Sequence, residues 1–173
     1  MSIRILLVDD HQMFRDGLKA FLQTETEIVV VGEASNGKKA VDLCLELVPD
    51  VVVMDISMPE MSGIEATKII HADAPATKVI ILTMHTEKRF VLGALKAGAS
   101  GIAVKNNTAA ELLTAIKTVM SGQTYLSPTV SDILVKNLIE SGEHQEEKVM
   151  TTRERQILEL IATGKCAKVI GTV

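Results

Sequence analysis

The chain has 173 residues, 47% of them apolar, which is enough for one core of ordinary size and a short annex rather than two full domains. Its formal charge of −4, with no Trp, three Phe and one Tyr, argues against a surface built to neutralise or stack on nucleic acid. From Val149 onward four basic residues face two acidic ones, so this end carries +2 and residues 1–148 carry −6, a split that gives the two parts different tasks.

In chain order, short runs rich in Val and Ile alternate with segments of helical periodicity. IRILLV (3–8) predicts a strand, and Phe14, Leu18, Phe21 and Leu22 mark one face of the helix after it. IVVVGEA (28–34) is the second strand, followed by a helix with Val41, Cys44, Leu45 and Val48 on its apolar face. VVVM (51–54), KVIILT (78–83) and GIAV (101–104) are the third to fifth strands. Their helices carry Ala66, Ile69 and Ile70, then Val91, Ala94 and Leu95, then Leu112, Leu113, Ile116, Val119 and Met120. Ser62 with Glu65 and Thr108 with Glu111 fit the capping box, in which each side chain satisfies the other's orphan backbone N–H. Five strands alternating with five helices predict a doubly wound five-stranded parallel sheet covered on both faces, which is why the strands are apolar throughout.

After Gly122 the pattern changes. Ser127-Pro128 opens a predicted helix with Val130, Ile133, Leu134 and Leu138 on one side, and ESGEHQEEK (140–148) reads as a solvated linker. Thr151 with Glu154 is a third capping box, opening a helix that presents Ile157, Leu158 and Ile161 and stops at Gly164.

Asp9 and Asp10 end the first predicted strand, Asp55 ends the third, Thr83 ends the fourth, and Lys105 follows the fifth. Ligands of open parallel sheets bind beyond the carboxyl ends of the strands, where the chain order reverses. Singly, the acids read equally as helix caps or Asx-turn residues, Thr83 as an ordinary strand residue and Lys105 as a solvated one. Together they gather three carboxylates and one ammonium at one sheet edge, a set that takes up protons or binds a cation, and oxygen ligands of this kind suit Mg²⁺.

LLVDDH, VVVMDISMPEMSG, ILTMH and GASGIAVK, in this order and spacing, resemble the receiver domains of two-component response regulators over residues 3 to 122. The resemblance implies a flavodoxin-like fold in residues 1–122, with Asp55 as phosphoacceptor. It also implies that Asp10, Asp55 and the backbone carbonyl of Ser57 hold Mg²⁺, with Asp9 acting through water. Thr83 and Lys105 would contact the phosphoryl oxygens. Ile102 stands where many receivers carry an aromatic residue. TTRERQILELIATGK (151–165) resembles the first helix of a LuxR-type helix-turn-helix. Residues 123–148 would then be a helical linker and 149–173 a partial DNA-binding domain that stops before its recognition helix, so no sequence-specific DNA affinity is expected of the chain as given.

The implied function is that of a NarL/FixJ-like response regulator. It would be no enzyme beyond its own phosphorylation and dephosphorylation, would be served by a sensor histidine kinase, and would control transcription, with a homodimer as a further partner. Two alternatives are a degenerate receiver that dimerises or binds a ligand without phosphorylation, and an aspartate-nucleophile phosphatase. The phosphatase lacks its general acid, since His11 and Ser57 lie two residues beyond Asp9 and Asp55. Cys44 and Cys166 fit no disulfide or metal spacing and the apolar runs are too short to span a membrane, so a cytoplasmic setting is expected.

Overall fold

The computed structural model describes residues 1–106, 109–142 and 155–159. The strands are β1 (Ile3–Val8), β2 (Ile28–Ala34), β3 (Val51–Met54), β4 (Lys78–Thr83), β5 (Gly101–Val104) and β6 (Tyr125–Leu126). The helices are α1 (Gln12–Leu22), α2 (Gly37–Leu47), α3 (Gly63–Asp73), α4 (Lys88–Lys96), α5 (Ala109–Met120) and α6 (Pro128–Gly142). All pairings are parallel, in the order β2-β1-β3-β4-β5-β6. The doubly wound sheet thus has six strands where five were expected. β6 escapes periodicity because it is two residues long and exists through its pairing with Gly101 and Ile102 of β5.

Successive side chains of a strand point to opposite faces, and the core divides accordingly. Ile5, Leu7, Val51, Val53, Ile80 and Leu82 pack against α1 and α5 through Leu22, Leu112, Ala115 and Ile116. Leu6, Val8, Val52, Met54 and Ile81 meet residues of four helices on the other face, among them Ala40 of α2, Ile70 of α3, Val91 of α4 and Leu134 of α6. Burial on both faces explains strands that are apolar almost throughout.

Local signals set the helix boundaries. Ser62 and Glu65 form the predicted capping box: Ser62 N–H and Oγ donate to Glu65 Oε2, and Glu65 N–H donates back to Ser62 Oγ. These bonds from Ser62 hold the Glu65 carboxyl below its ordinary value. The Thr108 and Thr151 capping boxes lie outside the described residues. α2 turns a narrower face inward than predicted: Gly37, Ala40 and Cys44 are buried, whereas Leu45 and Val48 are exposed. Val48 caps that helix in the left-handed region at φ 47°, which swings it off the helical face. α6 begins at Pro128 as expected but runs through 140–142, so the segment read as linker starts inside a helix. Residues 155–159 are helical, and Ile157 is buried in the same cluster as Val130 and Leu134. Among the described residues no helix is long and apolar enough to cross a membrane.

β1 leads to β2 on one side and β3 to β6 lie on the other, so the winding reverses between β1 and β3. The crevice that such a reversal leaves opens beyond Val8 and Met54, the last residues of the two strands, which are paired in register.

Candidate functional site

The main chain carries the acids into this crevice directly. Asp9 N–H bonds to the Ala34 carbonyl and Asp55 N–H to the Val8 carbonyl, so both continue the sheet ladder by one residue. Each side chain is then held by the turn that follows. The N–H of His11 donates to Asp9 Oδ1 at 2.8 Å and the N–H of Ile56 to Asp55 Oδ1 at 2.7 Å. A rigid strand end and a local backbone donor together fix each carboxylate.

Asp9 and Asp55 are 3% and 5% exposed. Lys105 answers both: its Nζ lies 2.5 Å from Asp9 Oδ2 and 2.9 Å from Asp55 Oδ2. The Lys105 N–H bonds to the Thr83 carbonyl, and its ammonium sits 4.8 Å over the ring of Phe14, a cation–π contact that fixes the end of the side chain. Burial pushes the Asp55 carboxyl above its ordinary value, despite the opposing pull of Lys105 beside it. Burial works against charge on Lys105 too, yet hydrogen bonds to Asp9 and Asp55 outweigh it and hold the ammonium above its ordinary value. The pocket therefore holds more negative charge than one ammonium neutralises.

Asp10 stands at the rim, partly exposed. Its Oδ1 is 2.9 Å from His11 Nδ1, which is 3.2 Å from Asp9 Oδ1. One ligand atom from each of Asp9, Asp10, His11 and Asp55 lies within 4.8 Å of the others. That donor set, hard oxygens around a surplus of negative charge, fits a divalent cation.

Thr83 is 1% exposed at the end of β4, and its Oγ accepts from the His85 N–H at 2.9 Å. Ser57 Oγ and His85 Nε2 are 2.8 Å apart, which links the loop after β3 to the loop after β4. Ile102 is fully buried on β5. The structure thus brings Asp9, Asp10, Asp55 and Lys105 together, with Thr83 and Ser57 on the two adjoining loops.

Sequence reasoning passed over three neighbours. His11 was visible in LLVDDH, and only its contacts single it out. Phe14 was read as a core residue of α1. Arg15, whose Nη1 donates to the Asp9 carbonyl and whose Nε lies 3.6 Å from Glu33 Oε2, ties Asp9 to β2, and no local pattern announces so long-range a link.

A parallel sheet with buried carboxylates at its winding reversal, faced by a lysine from the next strand but one, is a doubly wound α/β domain of the flavodoxin-like kind. The family model for the response regulator receiver domain matches residues 5–117. The chain is 43% identical over 170 residues to the transcriptional regulatory protein LiaR of Bacillus subtilis, covering 98% of this chain and 81% of that one. It is 38% identical over 164 residues to the response regulator protein VraR of Staphylococcus aureus, covering 95% and 78%. A crystal structure of a LuxR-family two-component response regulator from Aurantimonas superposes with a TM-score of 0.77 at 37% identity, over 80% of this chain and 99% of that one. The chain belongs to the response regulator family.

Proposed function

We propose that this protein is the phosphoryl-accepting regulator of a two-component relay, with Asp55 as the acceptor. The observation that carries the reading is the double contact of Lys105 Nζ with Asp9 and Asp55, which puts a cation beside the carboxylate that would attack phosphorus. Phosphoryl transfer asks a protein for position and charge neutralisation more than for covalent help.

Asp55 contributes a carboxylate whose Oδ1 is held by the Ile56 N–H and whose Oδ2 is held by Lys105. Attack by one carboxylate oxygen forms the O–P bond as the bond from phosphorus to the donor breaks, and the pair of electrons leaves with the donor. Lys105 then turns from carboxylates to phosphoryl oxygens, and the Thr83 hydroxyl, released from its own loop, meets another. Asp9, Asp10, Asp55 and the Ser57 carbonyl would hold Mg²⁺, which supplies charge neutralisation at the transferring group. The sensor histidine kinase is the donor, and the setting is cytoplasmic.

In this reading residues 1–122 are the receiver, 123–148 the helical linker, and 149–173, most of which lie outside the described residues, a segment that resembles a LuxR-type helix-turn-helix and makes DNA a further partner. The phosphoryl group brings roughly one to two negative charges into a fixed pocket. Two charge-assisted hydrogen bonds of about 1.5–3 kcal/mol each approach the ~5.5 kcal/mol that inverts a 1:99 equilibrium between two loop arrangements. The protein is a switch rather than an enzyme.

Incubation with acetyl phosphate and Mg²⁺ should add the mass of one phosphate to the intact chain, and Asp55→Ala should abolish that addition. Equal labelling of the variant contradicts the assignment.

A further inference from the structure

Phe14 is the ring that Lys105 rests on, and it stands between two spaces of very different size. The ammonium lies 4.8 Å from the ring centroid, with its hydrogen bonds directed to Asp9 and Asp55. Toward those acids the ring backs onto a gap of about 10 Å³, which holds a water at most. On another side it forms a wall of a groove of about 260 Å³ between α1 and α5, larger than the ~150 Å³ cavity that takes a benzene ring.

The groove owes its depth to Gly17. That residue lies one turn after Phe14 on the same side of α1, and a Cβ there would meet no atom within 4 Å. No close neighbour therefore demands a glycine here, and the interior of a helix disfavours one. What the glycine leaves is open space beside the ring. The facing wall is held: the Tyr125 hydroxyl donates to Glu111 Oε1 at 2.8 Å, and Leu112 is buried. Ile102 is buried and aliphatic, so the aromatic ring that meets Lys105 comes from α1 rather than β5.

We propose that Phe14 is a conformational switch: phosphorylation draws Lys105 off its face and the ring turns into the groove beside Gly17, so that the α1–α5 surface reports the state of Asp55. The inference rests on the reading that Asp55 takes a phosphoryl group.

Two sets of contacts compete for the ring. While the carboxylates hold Lys105, the ammonium lies against the negative face of the ring and keeps it at the site. A phosphoryl group takes that ammonium for its own oxygens through charge-assisted hydrogen bonds, and the ring is left beside a group of the same sign as its face. A helical phenylalanine has two favoured χ1 settings, so a discrete second position is open to it. In the groove the ring meets Leu18, Phe21, Leu82 and Leu112, and apolar burial replaces the lost cation. A groove filled in one state and empty in the other presents a different shape at its rim, where Met13 is 89% exposed.

The full chain carrying para-fluorophenylalanine has three labelled rings, at positions 14, 21 and 90, and Phe14→Leu assigns the line of interest. With acetyl phosphate and Mg²⁺, intact mass reads phosphorylation and ¹⁹F NMR reads the ring. The Phe14 line should move by several linewidths, and that of Phe21 in the same groove should move with it. Gly17→Leu places a side chain where the ring would go, so this chain should still gain one phosphate while most of the Phe14 displacement is lost. Gly17→Ala, whose Cβ fits, takes its place if the bulkier variant gains no phosphate, and should lose part of the displacement. Loss of the ammonium alone would shift the line equally in every chain, so an undiminished displacement in a phosphorylated variant overturns the switch. A phosphorylated unsubstituted chain whose Phe14 line stays put overturns it too, and leaves the phosphoacceptor reading standing. If the unsubstituted chain gains no phosphate, both fall.

Discussion

The ammonium of Lys105 bridges Asp9 and Asp55, so a cation entering the pocket competes with it for the same carboxylates. Lys105→Ala should therefore leave Mg²⁺ affinity intact or raise it while impairing phosphoryl transfer, as Mg²⁺ titration and acetyl phosphate labelling would show; a large loss of Mg²⁺ binding contradicts that role. Asp55 carries a second consequence. A carboxyl raised on folding binds its proton more tightly in the folded chain, so stability falls as pH rises from the ordinary value near 3.8 through the raised one. In metal-free buffer Asp55→Asn removes that loss, and its melting temperature relative to the unsubstituted chain should climb across the same window. A difference independent of pH contradicts it. The acids and Lys105 were legible as residues because each closes a run of apolar strand. The link between His11 and Asp10 was not, because sequence order places them side by side without saying which way the ring points.

The loop between β3 and α3 shows why the motif needs its glycine. A Cβ at Gly63 would lie 1.8 Å from the Asp55 carbonyl oxygen, while the Gly63 N–H bonds to the Ile56 carbonyl at 2.8 Å. The helix thus starts in contact with the backbone of the acid it follows. Gly63→Ala should cost about 3 kcal/mol in chemical denaturation and lower phosphorylation as well, since the Asp55 backbone must shift. Unchanged stability would mean the loop repacks freely. The capping box in front of this helix could be read in advance because it is local, four residues long and chemically specific. β6 could not, since two residues acquire strand geometry only from their neighbour. The extra length of α6 was hidden by Glu140, Ser141 and Gly142, two polar residues and a glycine that read as linker.

At the scale of the whole molecule, the alternation of strand and helix was enough to predict the parallel sheet and its crevice, because burial on both faces writes itself into composition. The packing of the C-terminal segment was not legible: periodicity marks Ile157 as an apolar-face residue without saying what covers it, and it is 7% exposed within the cluster formed by one face of the sheet. Ile157→Ala should lower the melting free energy by about 2 kcal/mol and speed hydrogen exchange in α6. An unaffected α6 would mean that 155–159 stabilises nothing in the receiver. The central claim is that Asp55 alone takes the phosphoryl group, and it is tested most directly by borohydride reduction of the acetyl phosphate-treated chain, which converts an aspartyl phosphate to homoserine, followed by peptide mass analysis. Homoserine is expected at position 55 and at neither position 9 nor position 10; homoserine at either of those, or none at 55, would contradict the assignment.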